Sequence, residues 1–159
     1  MVEWNAGAGP AANARRELPR MVAEFFALVR EVLAGEPPPE ELHRVRLAAK
    51  HVRYTLELFR PCYGAALESR IESLKAVQQV LGEINDCAAS RRVLAAAMHV
   101  PLQRAKMERF LAARLRDKTG ELRALWGGTF DAPGQEMLWA RYLTRSARTP
   151  RPRAYVASH

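Results

Sequence analysis

Between Leu42 and Phe59 the chain reads LHRVRLAAKHVRYTLELF, and four anion-binding residue types recur in it at helical spacing: His43, Arg46, Lys50 and Arg53. Guanidinium and ammonium groups bring charge and hydrogen-bond donors, and histidine adds a donor that gains charge near neutral pH. The chemistry such a set performs is recognition of phosphate or carboxylate. At about 100° per residue, with His43 at zero, these four and Glu57 fall between roughly 280° and 360°, and His43 to Arg53 spans about 15 Å. No acid stands three or four residues from Arg46 or Lys50. Arg53 alone has one in reach, Glu57, in the weaker basic-then-acidic order. Cations left in one file repel each other, and an anion bound along the file removes the repulsion. Tyr54 stands beside Arg53 as a core-edge aromatic whose hydroxyl can contact a ligand.

The element that must position this file is a helix. The stretch lacks Gly and Pro, is rich in strong helix formers, and follows Pro37-Pro38-Pro39-Glu40-Glu41, which sets acids in the first helical turn. Val45, Ala48, Ala49, Val52, Leu56 and Phe59 fall between roughly 140° and 240°, an arc that reads as a core face. Arg15 to Ala34 repeats apolar residues at helical spacing and stops at Gly35, with Pro19 pushing the helix start a few residues past Arg15. A third helix is expected from Ala65 to Leu81. Gly82 then breaks or bends the chain, and Asn85 or Asp86 caps the next stretch, through Ala97. Pro101 opens a further helix, Leu102 to Trp126. No segment alternates with period two, so the expected fold is all-α, an antiparallel helical bundle of four to five helices.

His43-x-x-Arg46-x-x-x-Lys50-x-x-Arg53-Tyr54-x-x-Glu57 resembles the signature of the CHAD family of histidine-containing α-helical domains. A second segment of similar kind follows, Leu74-x-x-Val77-Gln78-x-x-Leu81-Gly82-x-x-Asn85-Asp86. The resemblance covers about residues 15 to 126. It implies an all-helical module that binds inorganic polyphosphate on a basic surface, with no established catalytic activity. His43, Arg46, Lys50, Arg53 and Tyr54 would be the polyphosphate-binding residues. Complete domains of this family are built from two related bundles, and this chain resembles one of them. Upstream only Arg15, Arg16 and Arg20 stand where a second basic helix would be sought, with no histidine.

The expected organisation is a disordered lead over 1–14, the bundle over 15–126, a short C-terminal segment over 127–144 and a basic disordered tail over 145–159. Residues 132 to 159 hold five arginines against one glutamate, so half of the net charge of +8 lies there. That balance and a pI near 10.2 point to an anionic partner. Two readings follow: a noncatalytic module for polyphosphate or another polyanion, or a nucleic-acid binder using the basic tail. The stripe lacks interleaved exposed aromatics, which favours the first. No paired-carboxylate cluster, Gly-rich phosphate loop or nucleophile triad is seen. His43 and His51 find no carboxylate or Cys to complete a metal set, so no enzyme activity, metal or cofactor is expected. No apolar run approaches spanning length and no signal pattern opens the chain, so no membrane partner is expected. Cys62 and Cys87 are too few for a disulfide framework, which places the protein in the cytoplasm, at polyphosphate granules if that ligand is right. Trp126, Phe130, Met137, Leu138, Trp139 and Tyr142 cluster after the last bundle helix. They either fold back on the bundle or form the interface of a homodimer, and the dimer is the expectation.

Overall fold

The computed structural model of the chain describes residues 4–97 and 100–149. Among these every regular element is a helix: α1 Pro10–Leu33, α2 Pro39–Leu58, the single turn α3 Arg60–Tyr63, α4 Glu68–Ala97, α5 Pro101–Thr129 and α6 Gln135–Arg145. Proline at the first helical position opens α1, α2 and α5, where its missing N–H costs nothing. Gly64, at φ 70°, ends α3 in a left-handed conformation and feeds a 3-10 turn, Gly64–Leu67. The fold is an all-α bundle.

The core face anticipated on α2 is the buried one. Val45, Ala49, Val52, Leu56 and Phe59 are buried and Ala48 packs at the edge. They meet Leu18, Val22, Phe26 and Val29 of α1 and Ile71, Leu74, Val77, Leu81 and Ile84 of α4 in one contiguous core. The partners Arg53 with Gln78 and His43 with Asn85 show that α2 and α4 run antiparallel.

Several features differ from expectation. α1 begins at Pro10, and residues 4–9 are pinned ahead of it. Asn13 donates to the carbonyls of Asn5 and Ala8 and accepts from the Asn5 amide, while Trp4 stacks on Phe59 with centroids 5.2 Å apart. The first 14 residues are therefore not a disordered lead over the part described, and residues 1–3 lie outside the described residues. Pro19 sits inside α1 rather than at its start. It leaves the carbonyl of Arg15 without a helical donor, on an exposed residue that water reaches. Buried Leu18, Met21 and Val22 on either side hold the helix together across it.

Gly82 does not break the chain: α4 runs unbroken through it. A helix-interior glycine costs about 1 kcal/mol relative to alanine. Burial of Leu81 and Ile84, in phase on either side, contributes roughly 1.5–3 kcal/mol each and outweighs it. Asn85 and Asp86 are consequently helix-interior residues and not caps.

The aromatic segment after α5 folds back on its own bundle. Phe26 of α1 lies 5.2 Å from Trp126, 5.8 Å from Phe130 and 6.1 Å from Trp139, and Trp126 stacks on Phe130 at 4.7 Å. Gly134, at φ 83°, makes the turn into α6. Arg30 then clamps α1 to this segment through Asp131 and Glu136, both at 2.6 Å, and the two carboxylates raise its pKa. The guanidinium of Arg70 lies over the Tyr142 ring at 3.8 Å, and burial lowers its pKa. Trp126, Phe130 and Trp139 are thus core residues, and they no longer argue for a dimer interface. Met137 and Leu138 stay exposed.

The stretch after α6 is also anchored as far as it is described. Tyr63 donates to the Leu143 carbonyl at 2.6 Å, Arg15 to the Ala147 carbonyl at 2.9 Å, and the Arg148 amide to the Cys62 carbonyl at 2.7 Å. Residues 145–149 therefore belong to the bundle. The remainder of the expected tail, residues 150–159, lies outside the described residues.

Candidate functional site

The basic file of α2 faces α4 across a groove, and the groove is built from the same periodicity that buries the core. Because the file adjoins the core arc, each side chain emerges at the α2–α4 seam instead of into open solvent. Arg46, Lys50, Arg53 and Tyr54 line one open cleft of about 480 Å³ together with Lys75, Gln78 and Gln79 of α4. His43 lines a separate hollow of about 210 Å³ with Pro39, Glu40, Asn85, Ala88 and Arg92. Four of the five residues singled out in the sequence are thus brought together, and His43 stands at the next site along the seam.

Arg53 is the most constrained of the cations, its side chain 16% exposed. Its Nη1 donates to Glu57 at 2.5 Å and its Nε to the side-chain oxygen Oε1 of Gln78 at 2.7 Å. Its guanidinium carbon lies 4.2 Å from the centroid of the Tyr54 ring. The Lys50 ammonium approaches the same ring from 5.6 Å. Tyr54 is half exposed, and its ring serves as a platform for two cations. Arg46 and Lys50 make no ion pair among the described residues, and Lys75 is paired with Glu72 at 2.7 Å. The Nε2 of Gln78 is buried with no hydrogen-bond partner among the described residues. A buried donor without a partner costs about 1–3 kcal/mol.

In the second hollow the Nδ1 of His43 lies 3.0 Å from Oδ1 of Asn85. A carboxamide oxygen only accepts, so Nδ1 is the donor in this contact. Glu40 and Arg92 flank the ring with opposite charges. Asp86, considered as a cap or structural bond, is exposed on the helix.

Lys75, Gln78, Gln79 and Arg92 were not singled out as ligand residues in the sequence. A signal existed: Gln78, Asn85 and Arg92 follow at intervals of seven, so they form one file along α4. Only the pairing of α2 with α4 tells which face of α4 such a file looks toward.

The structure is thus an all-helical bundle that presents a cation-lined seam between two antiparallel helices. The chain belongs to the CHAD family: the family model described as CHAD domain matches residues 1–95. The matched segment carries α1, α2 and nearly all of α4, and hence both sides of the seam. It begins earlier than the resemblance read from the sequence and ends before α5. Comparisons with curated proteins and with solved structures found no match.

Proposed function

We propose that this chain is a noncatalytic binding module for a linear polyanion, with inorganic polyphosphate as the foremost ligand. The family is often linked to polyphosphate and triphosphate binding. The observation that carries the reading is the α2–α4 cleft, where Arg46 and Lys50 stand without ion pairs beside a pre-oriented Arg53 and an unsatisfied Gln78 amide. Charges repeating along a phosphate chain match cations repeating along a seam, and guanidinium groups grip phosphate oxygens in a fork. His43 and Arg92 extend the track beyond the cleft. Such a module works where polyphosphate accumulates, in the cytoplasm and at its granules. Pairing of two copies about a twofold axis would double the track, and this reading includes that homodimer.

Competition between polyphosphate, single-stranded and double-stranded nucleic acid at physiological salt tests the ligand. Polyphosphate should displace both nucleic acids, and Arg46→Glu with Lys50→Glu should weaken its binding by about a hundredfold and flatten its salt dependence. Arg53 is left out of the reversal because a carboxylate there would face Glu57. If the folded double variant binds polyphosphate as the parent does, the site assignment fails. If nucleic acid wins the competition, the basic C-terminal stretch takes precedence over the seam.

A further inference from the structure

The contiguous core stops short of the far end of the α4–α5 hairpin. Its last member on α4 is Ile84 and its first fully buried member on α5 is Leu122, while Leu111 is buried outside it. α4 is the element that α5 packs against most extensively. A helix with one partner ordinarily turns its large apolar side chains toward that partner. The first half of α5 does otherwise. Leu102 is 78% exposed and Phe110 59%, and Val100 and Met107 are exposed as well.

These side chains share their surface with cations. Leu102, Lys106 and Phe110 stand at i, i+4 and i+8, in one file, with Arg109 beside them. Lys106 and Arg109 are exposed and make no ion pair among the described residues. Glu108 is the only acid between Pro101 and Arg116, and it lies on the other side of the helix, held by Arg104 at 3.0 Å.

The mixture selects its occupant. A second copy placed face to face would set Lys106 and Arg109 against their own images. A phosphate chain makes no use of Leu102 or Phe110. Single-stranded nucleic acid stacks successive bases on aromatic rings, and Phe110 is the one aromatic between Val100 and Arg116. An anionic bilayer takes both components, because apolar side chains enter the boundary of headgroups and acyl chains while cations reach the lipid phosphates. We propose that the face of α5 from Leu102 to Phe110 docks on the surface of an anionic lipid bilayer. No described helix is long and apolar enough to cross a membrane, and docking of this kind requires none. The proposal adds a partner that the absence of a spanning segment had argued against, and it is independent of the polyanion reading.

Sedimentation with vesicles of phosphatidylcholine, with and without phosphatidylglycerol, tests it. The full chain should sediment with the phosphatidylglycerol vesicles and stay in solution with phosphatidylcholine alone. Leu102→Asp with Phe110→Asp should lower vesicle binding about tenfold or more, because each apolar anchor is lost. Both positions are exposed, so the variant should keep its helix content and its polyphosphate affinity. Lys106→Glu with Arg109→Glu should give the same loss of vesicle binding, and Arg46→Glu with Lys50→Glu should leave it largely intact. The proposal is overturned if the parent ignores phosphatidylglycerol vesicles, or if the Leu102 and Phe110 variant binds them unchanged. It is equally overturned if that variant instead turns a dimer into a monomer by light scattering, or loses single-stranded RNA while vesicle binding persists.

Discussion

Arg53 reaches the cleft with its direction already set by Glu57, Gln78 and the Tyr54 ring. Preorganisation of this kind removes the rotamer entropy that binding would otherwise consume, and Gln78 is the residue that supplies it from across the seam. Gln78→Leu should therefore weaken polyphosphate binding by about threefold to tenfold, the worth of one or two hydrogen bonds. Isothermal titration checks this, and an unchanged affinity would make Gln78 a bystander. His43 offers a second residue-level outcome. His43→Ala should weaken polyphosphate binding by about threefold to tenfold, because it removes a ring that Asn85 holds at 3.0 Å beside the cleft; an unchanged affinity in the same titration would make His43 structural.

At the scale of elements, α4 is the helix that joins α2 to α5. One side supplies the seam with α2, and another carries α5. The α4–α5 contact includes Lys118, which reaches Glu83 at 2.7 Å and Glu121 at 2.6 Å. The Lys118 hydrogen bond holds the Glu83 carboxyl below the usual carboxylate range. A depressed carboxylate contributes stability that is present above its unfolded value, near 4.3, and is lost as pH falls through the folded one. Glu83→Gln should accordingly lower the thermal midpoint at neutral pH, with a gap from the parent that closes as the solution is acidified below about pH 4. A gap of constant size from pH 7 to about 3 would show that the ion pair carries none of the acid sensitivity. Cys62, by contrast, is held inert by the fold, because burial pushes its thiol up.

For the whole molecule the open matter is how far the basic track extends. The aromatic cluster is taken up by the chain's own core, so pairing must use other surface, and Met137 and Leu138 on α6 are what that segment leaves exposed. Light scattering at micromolar concentration should report twice the 17.9 kDa chain mass. A monomer that still binds long polyphosphate would refute both the dimer and the doubled track.

Periodicity is a local property, and what depends on it was legible from the sequence. The core arc of α2, the file of His43, Arg46, Lys50 and Arg53 beside it, and the absence of strands among the described residues all follow from residue types repeating at 3.6. Motif spacing carried the family as well. What was misjudged depended on contacts between residues distant in the chain. Gly82 reads as a breaker until flanking Leu81 and Ile84 are seen buried, and the N-terminal stretch reads as loose until Asn13 and Phe59 are seen to hold it. The same applies to the site. Lys75, Gln78 and Arg92 enter it only because α4 lies antiparallel to α2, and His43 leaves the main cleft because Asn85 draws it to the neighbouring hollow. Side-chain chemistry along one helix face was determined by sequence alone; which second face completes it was decided by packing, because burial of the shared core sets the register between helices.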